Sequence, residues 1–338
     1  MTLRQLRYLL AIVDNGLNIT AASEKLYTSQ PGVSKQIRLL EEELDLRLFE
    51  RKGRSLASVT PAGEEVVARA RTVLQEIDNI RTLALNTRHE ADGTLAIGTT
   101  HTQARYVLPE VIARFREHYP NVALELHQGT SEQLADMVEA HQIDFAIATG
   151  GQDLFADLVM LPCYRWDRTI LVPREHELAR LDGPLTIDAL ARHPLVTYVF
   201  SFSGESSLKK AFAAEGLTPD VVFTARDADV IKTYVRMGMG VGIVASMAHD
   251  CGDDLVAIDA EGLFPRSTTW IGFRRDTVLR RYMSHFMELF APHLTDALVQ
   301  RCLAAADQSG VDAIFRDVDL PLRGGCGQAP ADADADAD

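Results

Sequence analysis

Apolar residues recur at helical spacing near the start of the chain and divide it into short amphipathic segments. One stripe runs from Leu6 to Leu17 at intervals of four, three and four residues, which is the period of a single helix face. A second stripe with the same intervals runs from Val33 to Leu44. Between them lies a short segment rich in alanine, for which Thr20 is a suitable N-cap. Three helices in this order, with a tight break before the last, predict a helix-turn-helix.

The last of these helices carries a polar face beside its apolar stripe. Ser29 can cap it, and Pro31 suits its first turn because the missing N–H of proline costs nothing there. Amide, hydroxyl and cationic side chains lie on this face, and such groups hydrogen-bond to base edges or phosphates in the major groove. We therefore predict a DNA-reading helix whose contacting residues are Thr28, Ser29, Gln30, Pro31, Ser34, Lys35 and Arg38.

Two short strands are predicted after this helix, on either side of Lys52-Gly53-Arg54. A wing of this kind can place cations on the neighbouring phosphate backbone. Arg51, Lys52 and Arg54 therefore complete the predicted DNA-binding set. The alternative is a plain three-helix bundle with a charged surface, and periodicity alone leaves both interpretations open.

The same residues resemble a known family, the LysR-type transcriptional regulators. The resemblance rests on LRQLRYLLAIVDNG, TAASEKLYTSQPGVSKQIRLLEEELDLRLFER and SVTPAGE. Five later segments resemble the CysB and Cbl branch of that family, which controls sulfur assimilation: TTHTQARYVLP, PCYRWDRTILVP, HPLVTYVF, ARDADVIKTYVRMGMGVGIVAS and TTWIGFRR. The resemblance covers roughly residues 1 to 295. It implies a ligand-responsive regulator of sulfate assimilation or cysteine biosynthesis genes, with double-stranded DNA and a small-molecule effector as partners.

A longer helix is predicted to begin at Thr60 and Pro61, which supply a cap and a first turn. After it, apolar residues recur at alternating intervals of four and three, the pattern of a heptad seam. Two such helices packed together would hold two reading heads at a fixed separation, with half-sites about 10 base pairs apart or a multiple of that. We therefore expect a homodimer that assembles into a homotetramer, and the alternative is a seam that packs on its own chain. The seam residues are Val66, Ala70, Val73, Ile77, Ile80 and Ala84.

Beyond residue 93 the pattern changes to short apolar strands that alternate with amphipathic helices, which predicts parallel α/β sheets. A second run of the same kind follows PCYRWDRTILVP, and TTWIGFRR is expected to return to the first. The predicted fold class is α/β, with an N-terminal winged helix-turn-helix plus linker helix and then a two-lobed effector domain like a periplasmic binding protein. The predicted boundaries are 1–60 for the winged helix-turn-helix, 61–90 for the linker, and 91–295 for the effector domain, with lobe I at about 91–163 and 267–295 and lobe II at about 164–266.

Composition limits the possible partners. The chain has 338 residues, enough for two or three packed domains, and a net charge of −14. Residues 1–60 hold nine Lys and Arg against seven Asp and Glu, a net of +2 that leaves −16 for the remainder, so any contact with nucleic acid is expected at the N-terminus. No signal peptide is present and no run approaches the ~20 apolar residues of a membrane span, which predicts a soluble cytoplasmic protein without a membrane partner.

The turn after the first strand of the α/β region carries the candidate effector site. Ligands of open α/β sheets bind at the carboxyl ends of strands, where helix N-termini offer free N–H groups. Hydroxyl and amide donors there suit a small oxyanion such as sulfate or a carboxylate, whereas ordinary helix capping by Thr102 is the alternative. The resemblance favours a site for sulfate, thiosulfate or an acetylserine-like molecule, and it implies as lining residues Thr100, Thr102, Gln103, Thr149, Ser201 and Ser203.

One position departs from the family pattern. Members usually carry Gly-Phe-Thr-Gly-Arg where this chain has Ser201-Phe202-Ser203-Gly204-Glu205. A carboxylate in place of a cation disfavours an anion if the side chain points inward. The identity and charge of the ligand therefore stay open at this stage.

An enzyme, or a stand-alone small-molecule binding protein with an incidental helical bundle, is the alternative from another class. His101 near Thr100 and Thr102, or Cys163 with a distant histidine, could supply a base and a nucleophile. No third, orienting group accompanies either pair, and no GxSxG, Walker or GxGxxG pattern occurs. The four cysteines form no CxxC pair. We predict no catalytic residue, no cofactor and no metal site. The polar segment 303–338, which ends in ADADADAD, is expected to be disordered.

Overall fold

The structure is a computed structural model. It describes residues 1–53, 55–88, 92–150, 155, 158–201, 206–249, 252 and 254–324. The chain divides into two compact units, one formed by Met1–Glu90 with Asp276–Arg280 and the other by Ala91–Arg275 with Arg281–Asp338. In the part of the chain that is described, no helix is long and apolar enough to cross a membrane.

The first unit begins with three helices, as predicted. Ser29 is confirmed as the N-cap of the third helix, since its hydroxyl accepts the N–H of Gly32. The cap of the second helix differs from the prediction, because the side chain of Asn18, rather than that of Thr20, accepts two backbone N–H groups of the first turn. Asparagine is as good a cap as threonine, so the helix begins two residues earlier than expected. The helices are α1 (Leu3–Asp14), α2 (Ile19–Lys25) and α3 (Gln30–Leu44).

A two-stranded wing and a long helix complete this unit. The antiparallel strands β1 (Phe49–Lys52) and β2 (Ser55–Val59) confirm the predicted wing. Helix α4 (Pro61–Arg88) follows, and the hydroxyl of Thr60 accepts the N–H of Gly63 at 2.9 Å, as expected of a cap. Apolar side chains of α1 to α4 and of the wing form one shared core.

In the second unit, five strands form the sheet of lobe I in the order β4-β3-β5-β12-β6. The first three strands along the chain are parallel, as predicted, and β12 returns antiparallel between β5 and β6. The helix predicted after β3 is interrupted at Val107 because Pro109 starts a new helix there. The elements are β3 (Gly93–Thr99), α5 (His101–Tyr106), α6 (Leu108–His118), β4 (Val122–Gln128), α7 (Ser131–Glu139), β5 (Phe145–Thr149), β6 (Leu158–Trp166), β12 (Ser267–Arg274), α11 (Arg281–Phe290) and α12 (Asp296–Ala304).

Another five strands form the sheet of lobe II in the order β11-β7-β10-β8-β9. The chain enters this lobe between β6 and β7 and leaves it before β12, so two crossing segments join the lobes and the two-lobed α/β prediction is confirmed. Sequence patterns did not reveal α8 or β11. The elements are β7 (Arg168–Pro173), α8 (Ile187–Ala191), β8 (Leu195–Tyr198), α9 (Ser207–Ala214), β9 (Val221–Ala225), α10 (Ala228–Arg236), β10 (Val241–Ala245) and β11 (Leu255–Asp259).

The expectation of disorder from residue 303 is wrong for the part that the structure describes. A further helix, α13 (Gln308–Phe315), packs on β6 and buries Val311 completely. The Gln308 side chain donates to the carbonyl of Met160 and accepts its N–H, both at 2.9 Å. The polar composition of the whole tail concealed these few apolar residues at helical spacing. Residues 325–338 lie outside the described range.

Candidate functional site

The predicted DNA-reading face of α3 is exposed to solvent. Gln30, Pro31, Lys35 and Arg38 are exposed, whereas Val33 on the other face is fully buried. Ser29 is exposed too, although its hydroxyl is engaged in the cap, and Thr28 and Ser34 are half-buried. The helix can therefore present amide and ammonium groups outward while its apolar stripe holds the core.

The acidic end of α3 has an internal role that the sequence did not reveal. One carboxylate oxygen of Glu41 accepts the backbone N–H groups of Leu48 at 2.9 Å and Phe49 at 3.3 Å, and the other lies 3.4 Å from the guanidinium of Arg51. Glu41 thus fixes the wing to the reading helix instead of facing solvent. Arg38 pairs with the exposed Glu42 at 2.7 Å, a contact of small energy at an exposed site.

Around the reading helix lie further exposed groups. In the wing, Arg51 and Lys52 are exposed, while the predicted Arg54 lies outside the described residues. Tyr27, in the turn before α3, is 98% exposed and adopts a left-handed φ of 49°. Sequence analysis did not single out Tyr27, because an aromatic side chain in that stretch suggests a core position.

Three parts of the surface of helix α4 have different surroundings. Ala70 of the predicted seam is buried in the core of the head, as is Val67, so the first turns of the seam pack on their own chain. Further along, Asn79 donates to the carbonyl of Asp276 at 2.7 Å and accepts the N–H of Val278 at 3.0 Å. A third face is bare and apolar, and its most exposed members are Val73, Ile80 and Leu83 at 40%, 64% and 55% exposure.

The lobe I side of the predicted effector site is a buried hydrogen-bond chain. Gln103 is 1% exposed and donates to the hydroxyl of Thr269 at 3.3 Å, and it accepts a hydrogen bond from Tyr164. The Thr269 hydroxyl also lies 3.2 Å from that of Thr149. The structure therefore brings Gln103 and Thr149 together through Thr269, a residue that lies too far along the chain for spacing to suggest it.

Thr102 of lobe I contacts lobe II. Its hydroxyl lies 3.5 Å from the phenol of Tyr198 in lobe II, and that phenol accepts the N–H of Ala245 at 3.3 Å. The alternative interpretation of Thr102 as a helix cap is wrong, because Thr100 occupies the N-cap position and makes no side-chain cap bond. Since α5 has only six residues, side chains rather than its dipole dominate this site.

The lobe II loop supplies one more predicted residue. Ser201 is 1% exposed, and within the described part of the chain its hydroxyl has no hydrogen-bond partner. No hydrogen bond joins it to the other predicted effector residues that the structure describes. Ser203 and Glu205 lie outside the described residues.

A carboxylate of lobe II also bridges the lobes. Asp229 accepts a hydrogen bond from the phenol of Tyr106 at 2.6 Å and lies 3.4 Å from the ammonium of Lys232. Burial alone would raise the pKa of Asp229, but the Tyr106 hydrogen bond and the Lys232 charge outweigh it and lower the pKa. The carboxylate is therefore ionised near neutral pH and can hold the two lobes together.

The two candidate catalytic residues, Cys163 and His101, have surroundings that the structure describes. Cys163 is fully buried, and burial raises the pKa of its thiol far above the ordinary value, which suppresses the reactive thiolate. His101 lies 3.8 Å from Asp229 instead. Among the described residues, no group of three or more His, Cys, Asp or Glu side chains could hold a metal ion.

Comparison with known protein families identifies the family to which the chain belongs. Residues 3–64 match the bacterial regulatory helix-turn-helix protein, lysR family, and residues 88–295 match the LysR substrate binding domain. The chain belongs to the LysR family. This LysR-type chain is 50% identical over 324 residues to the HTH-type transcriptional regulator CysB of Haemophilus influenzae, a match that covers 96% of this chain and all of that protein.

Two further relatives agree. The HTH-type transcriptional regulator cbl of Escherichia coli is 38% identical over 92% of this LysR-type chain and 99% of its own length. A crystal structure of the cofactor-binding domain of the Cbl transcriptional regulator matches with a TM-score of 0.59 and 41% identity, and covers 63% of this chain and 93% of that one. The predicted membership in the CysB and Cbl branch is confirmed, and the protein is a LysR-type transcriptional regulator.

Proposed function

We propose that this regulator reads duplex DNA with α3 and the wing, acts in the cytoplasm, and controls genes of sulfate assimilation or cysteine biosynthesis. The observation that carries the proposal is the exposed polar face of α3, where Gln30 and Lys35 stand opposite the buried Val33. Glutamine pairs with adenine edges, and lysine contacts bases or phosphates. The likeness to CysB over nearly the whole chain supports the choice of target genes.

Pairing of two chains along the bare face of α4 would present two reading heads together. Val73, Ile80 and Leu83 offer the apolar surface for it, and exposed apolar stripes of this kind are typical of helix-pairing interfaces. We propose a homodimer of this type that assembles further into a homotetramer. The head carries a modest net charge of +2 over residues 1–60, so a paired reader gains affinity that a single head lacks.

The interlobe site is proposed to receive the effector, a small molecule such as sulfate, thiosulfate or an acetylserine. Gln103 and Thr149 on lobe I, with Thr102 facing Tyr198 on lobe II, supply the donors. The ligand can change DNA binding only through different affinities for two arrangements of the protein. We assign the site to binding rather than catalysis, since Cys163 is buried and its pKa is raised by that burial.

Promoter binding by two variants tests the DNA assignment. Gln30→Ala should lose about 1–3 kcal/mol and relax the base preference at one position, while Lys35→Ala should weaken binding uniformly and reduce the salt dependence. Both side chains are exposed, so folding should be unaffected. Arg192→Ala, which removes an exposed cation from the other unit of the chain, is the control. Unchanged affinity and preference in both variants would remove α3 from the groove.

A further inference from the structure

Arg168 is a buried cation whose hydrogen bonds are mostly unmade. It is 6% exposed at the start of β7, and its Nη2 donates to the hydroxyl of Ser207 at 3.0 Å. Its Nε and Nη1 atoms are buried and have no partner within the described part of the chain. Buried guanidinium groups are ordinarily satisfied by carboxylates or several acceptors, so Arg168 lacks the acceptors that a structural arginine would have.

The charge of the Arg168 guanidinium has no carboxylate counterpart among the described residues. Burial lowers the pKa of the group to about 10, but it remains protonated near neutral pH. Ser207 is the first residue of α9, where the positive end of the helix dipole makes a cation unfavourable. The surroundings of Arg168 therefore disfavour its positive charge unless an anion binds next to the guanidinium.

Two more buried donors, on Trp166 and on Ser201, have no hydrogen-bond partner in the part of the chain that is described. The Arg168 guanidinium carbon is 6.0 Å from the centre of the Trp166 ring, and the indole Nε1 of Trp166 makes no hydrogen bond to any described residue. The Ser201 hydroxyl is likewise unpaired, and the carbonyl of Ser201 accepts a hydrogen bond from Ser206, the neighbour of Ser207. Guanidinium and indole N–H groups are donors only, so what is missing is an acceptor.

The cluster adjoins the contact between the lobes. Arg168 pairs with Ala245 across β7 and β10, and the N–H of Ala245 donates to the phenol of Tyr198 at 3.3 Å. That phenol lies 3.5 Å from the hydroxyl of Thr102 in lobe I. The backbone of Arg168 therefore lies in lobe II near the contact between Tyr198 and Thr102, with Ala245 between Arg168 and Tyr198.

We propose that Arg168 is the residue that gives the effector site its charge selectivity: together with Trp166 and Ser201 it binds an oxyanion group of the effector. The proposal rests on the interlobe effector site proposed above. The oxyanion can be sulfate-like or the carboxylate of an acetylated amino acid, and neutral ligands are excluded because they leave the buried charge uncompensated. In the rival interpretation Arg168 is a packing residue, stacked between Trp166 and Phe264.

Calorimetric titration of the full chain in a low-chloride buffer tests the proposal, with sodium sulfate, sodium thiosulfate and N-acetylserine as separate probes. Hydrogen bonds to charged groups contribute enough that Arg168→Gln should raise the Kd of the bound anion more than about tenfold. Arg165→Gln removes an exposed arginine from β6 and should change the Kd less than about twofold. The probe that binds distinguishes an inorganic anion from a carboxylate.

Thermal unfolding separates binding from packing. Removal of an uncompensated buried charge should leave the anion-free midpoint of Arg168→Gln equal to or above that of the wild type, and should abolish the rise in midpoint caused by the anion. A packing residue predicts a lowered midpoint with the anion-dependent rise retained. Arg168→Lys keeps the charge and should keep part of the rise, which preserves the test if Arg168→Gln does not fold.

Equal anion affinity in the wild type and Arg168→Gln would overturn the proposal, and so would a wild type that binds none of the three probes. Promoter DNA is titrated in parallel without anion. Intact DNA binding in a wild type that ignores every anion would reject the role of Arg168 and leave the regulator assignment standing. A wild type that binds anions but no DNA would reject the regulator assignment instead.

Discussion

At the scale of single residues, Gly63 decides how α4 joins the reading head. A side-chain carbon at this position would overlap the carbonyl oxygen of Leu48 and approach the side chain of Val59 to 2.8 Å. Backbone atoms cannot move aside as a flexible side chain can. The glycine is therefore required for the close approach of α4 to the segment that leads into the wing.

Gly63→Ala should destabilise the head by about 1–3 kcal/mol through overpacking. The sign is informative, because the same change in an unstrained helix stabilises it by about 1 kcal/mol. Both tryptophans, Trp166 and Trp270, lie in the larger unit, so circular dichroism in urea follows both units while tryptophan fluorescence follows only that one. The change should appear in the first signal alone. Ala68→Ser, at an exposed position of α4, is the control, and a stabilised Gly63→Ala would contradict the overlap.

Sequence analysis located single residues well where the physical rule is local. Ser29 was identified as a cap because capping depends on the next three residues only. Thr269 and Tyr198 were missed, although they organise the interlobe hydrogen bonds. Their roles depend on strands that are distant in sequence but adjacent in the sheets, and no spacing along the chain encodes that adjacency.

At the scale of elements, α4 shows both the strength and the limit of periodicity. The heptad pattern correctly identified a long amphipathic helix, but it could not tell which part of the stripe faces its own chain. Ala70 is buried in the head, whereas Ile80 is 64% exposed. Periodicity did not single out Asn79, which is 5% exposed and forms hydrogen bonds with backbone groups of residues 276 and 278.

A charge on the bare face of α4 should disrupt self-association. Ile80→Lys places an ammonium group where an apolar partner is expected, and an unpaired charge in a desolvated contact should raise the dimer dissociation constant at least about tenfold. Analytical ultracentrifugation over a range of concentrations measures this constant. Asp78→Asn changes the charge by the same one unit at an exposed position about 160° around the helix from Ile80 and serves as the control. If both variants associate like the wild type, the chains do not pair through this face.

At the scale of the molecule, the α/β units were predictable because each strand and helix has its own period and because parallel strands need helical crossovers. The return of TTWIGFRR to the first sheet as β12 was predicted correctly. Helix α13 was not predicted, because the composition of the whole C-terminal region is dominated by its polar and acidic residues. Val311 and Phe315, at 0% and 8% exposure, are the residues that this composition concealed.

Truncation should separate these two parts of the C-terminus. Chains that end at residue 324 should unfold like the wild type, while chains that end at residue 305 lose α13 and should lose about 3 kcal/mol or more, since burial of one large apolar side chain contributes about 1.5–3 kcal/mol. Tryptophan fluorescence in urea reports the difference, because Trp166 belongs to β6, against which α13 packs. Equal stability of the two truncated chains would show that α13 contributes nothing.

The covering of β6 has a consequence beyond stability. This strand lies at the edge of its sheet, and its outward backbone groups are occupied by the Gln308 side chain at Met160 and by the backbone of Pro321 and Arg323 at Arg165. An uncovered edge strand is a template on which a strand from another molecule can add. A chain cut by proteolysis before Gln308 would therefore expose the unpaired backbone groups of β6. Such a chain should form insoluble aggregates through this edge, which is a different failure from the loss of the response to effector.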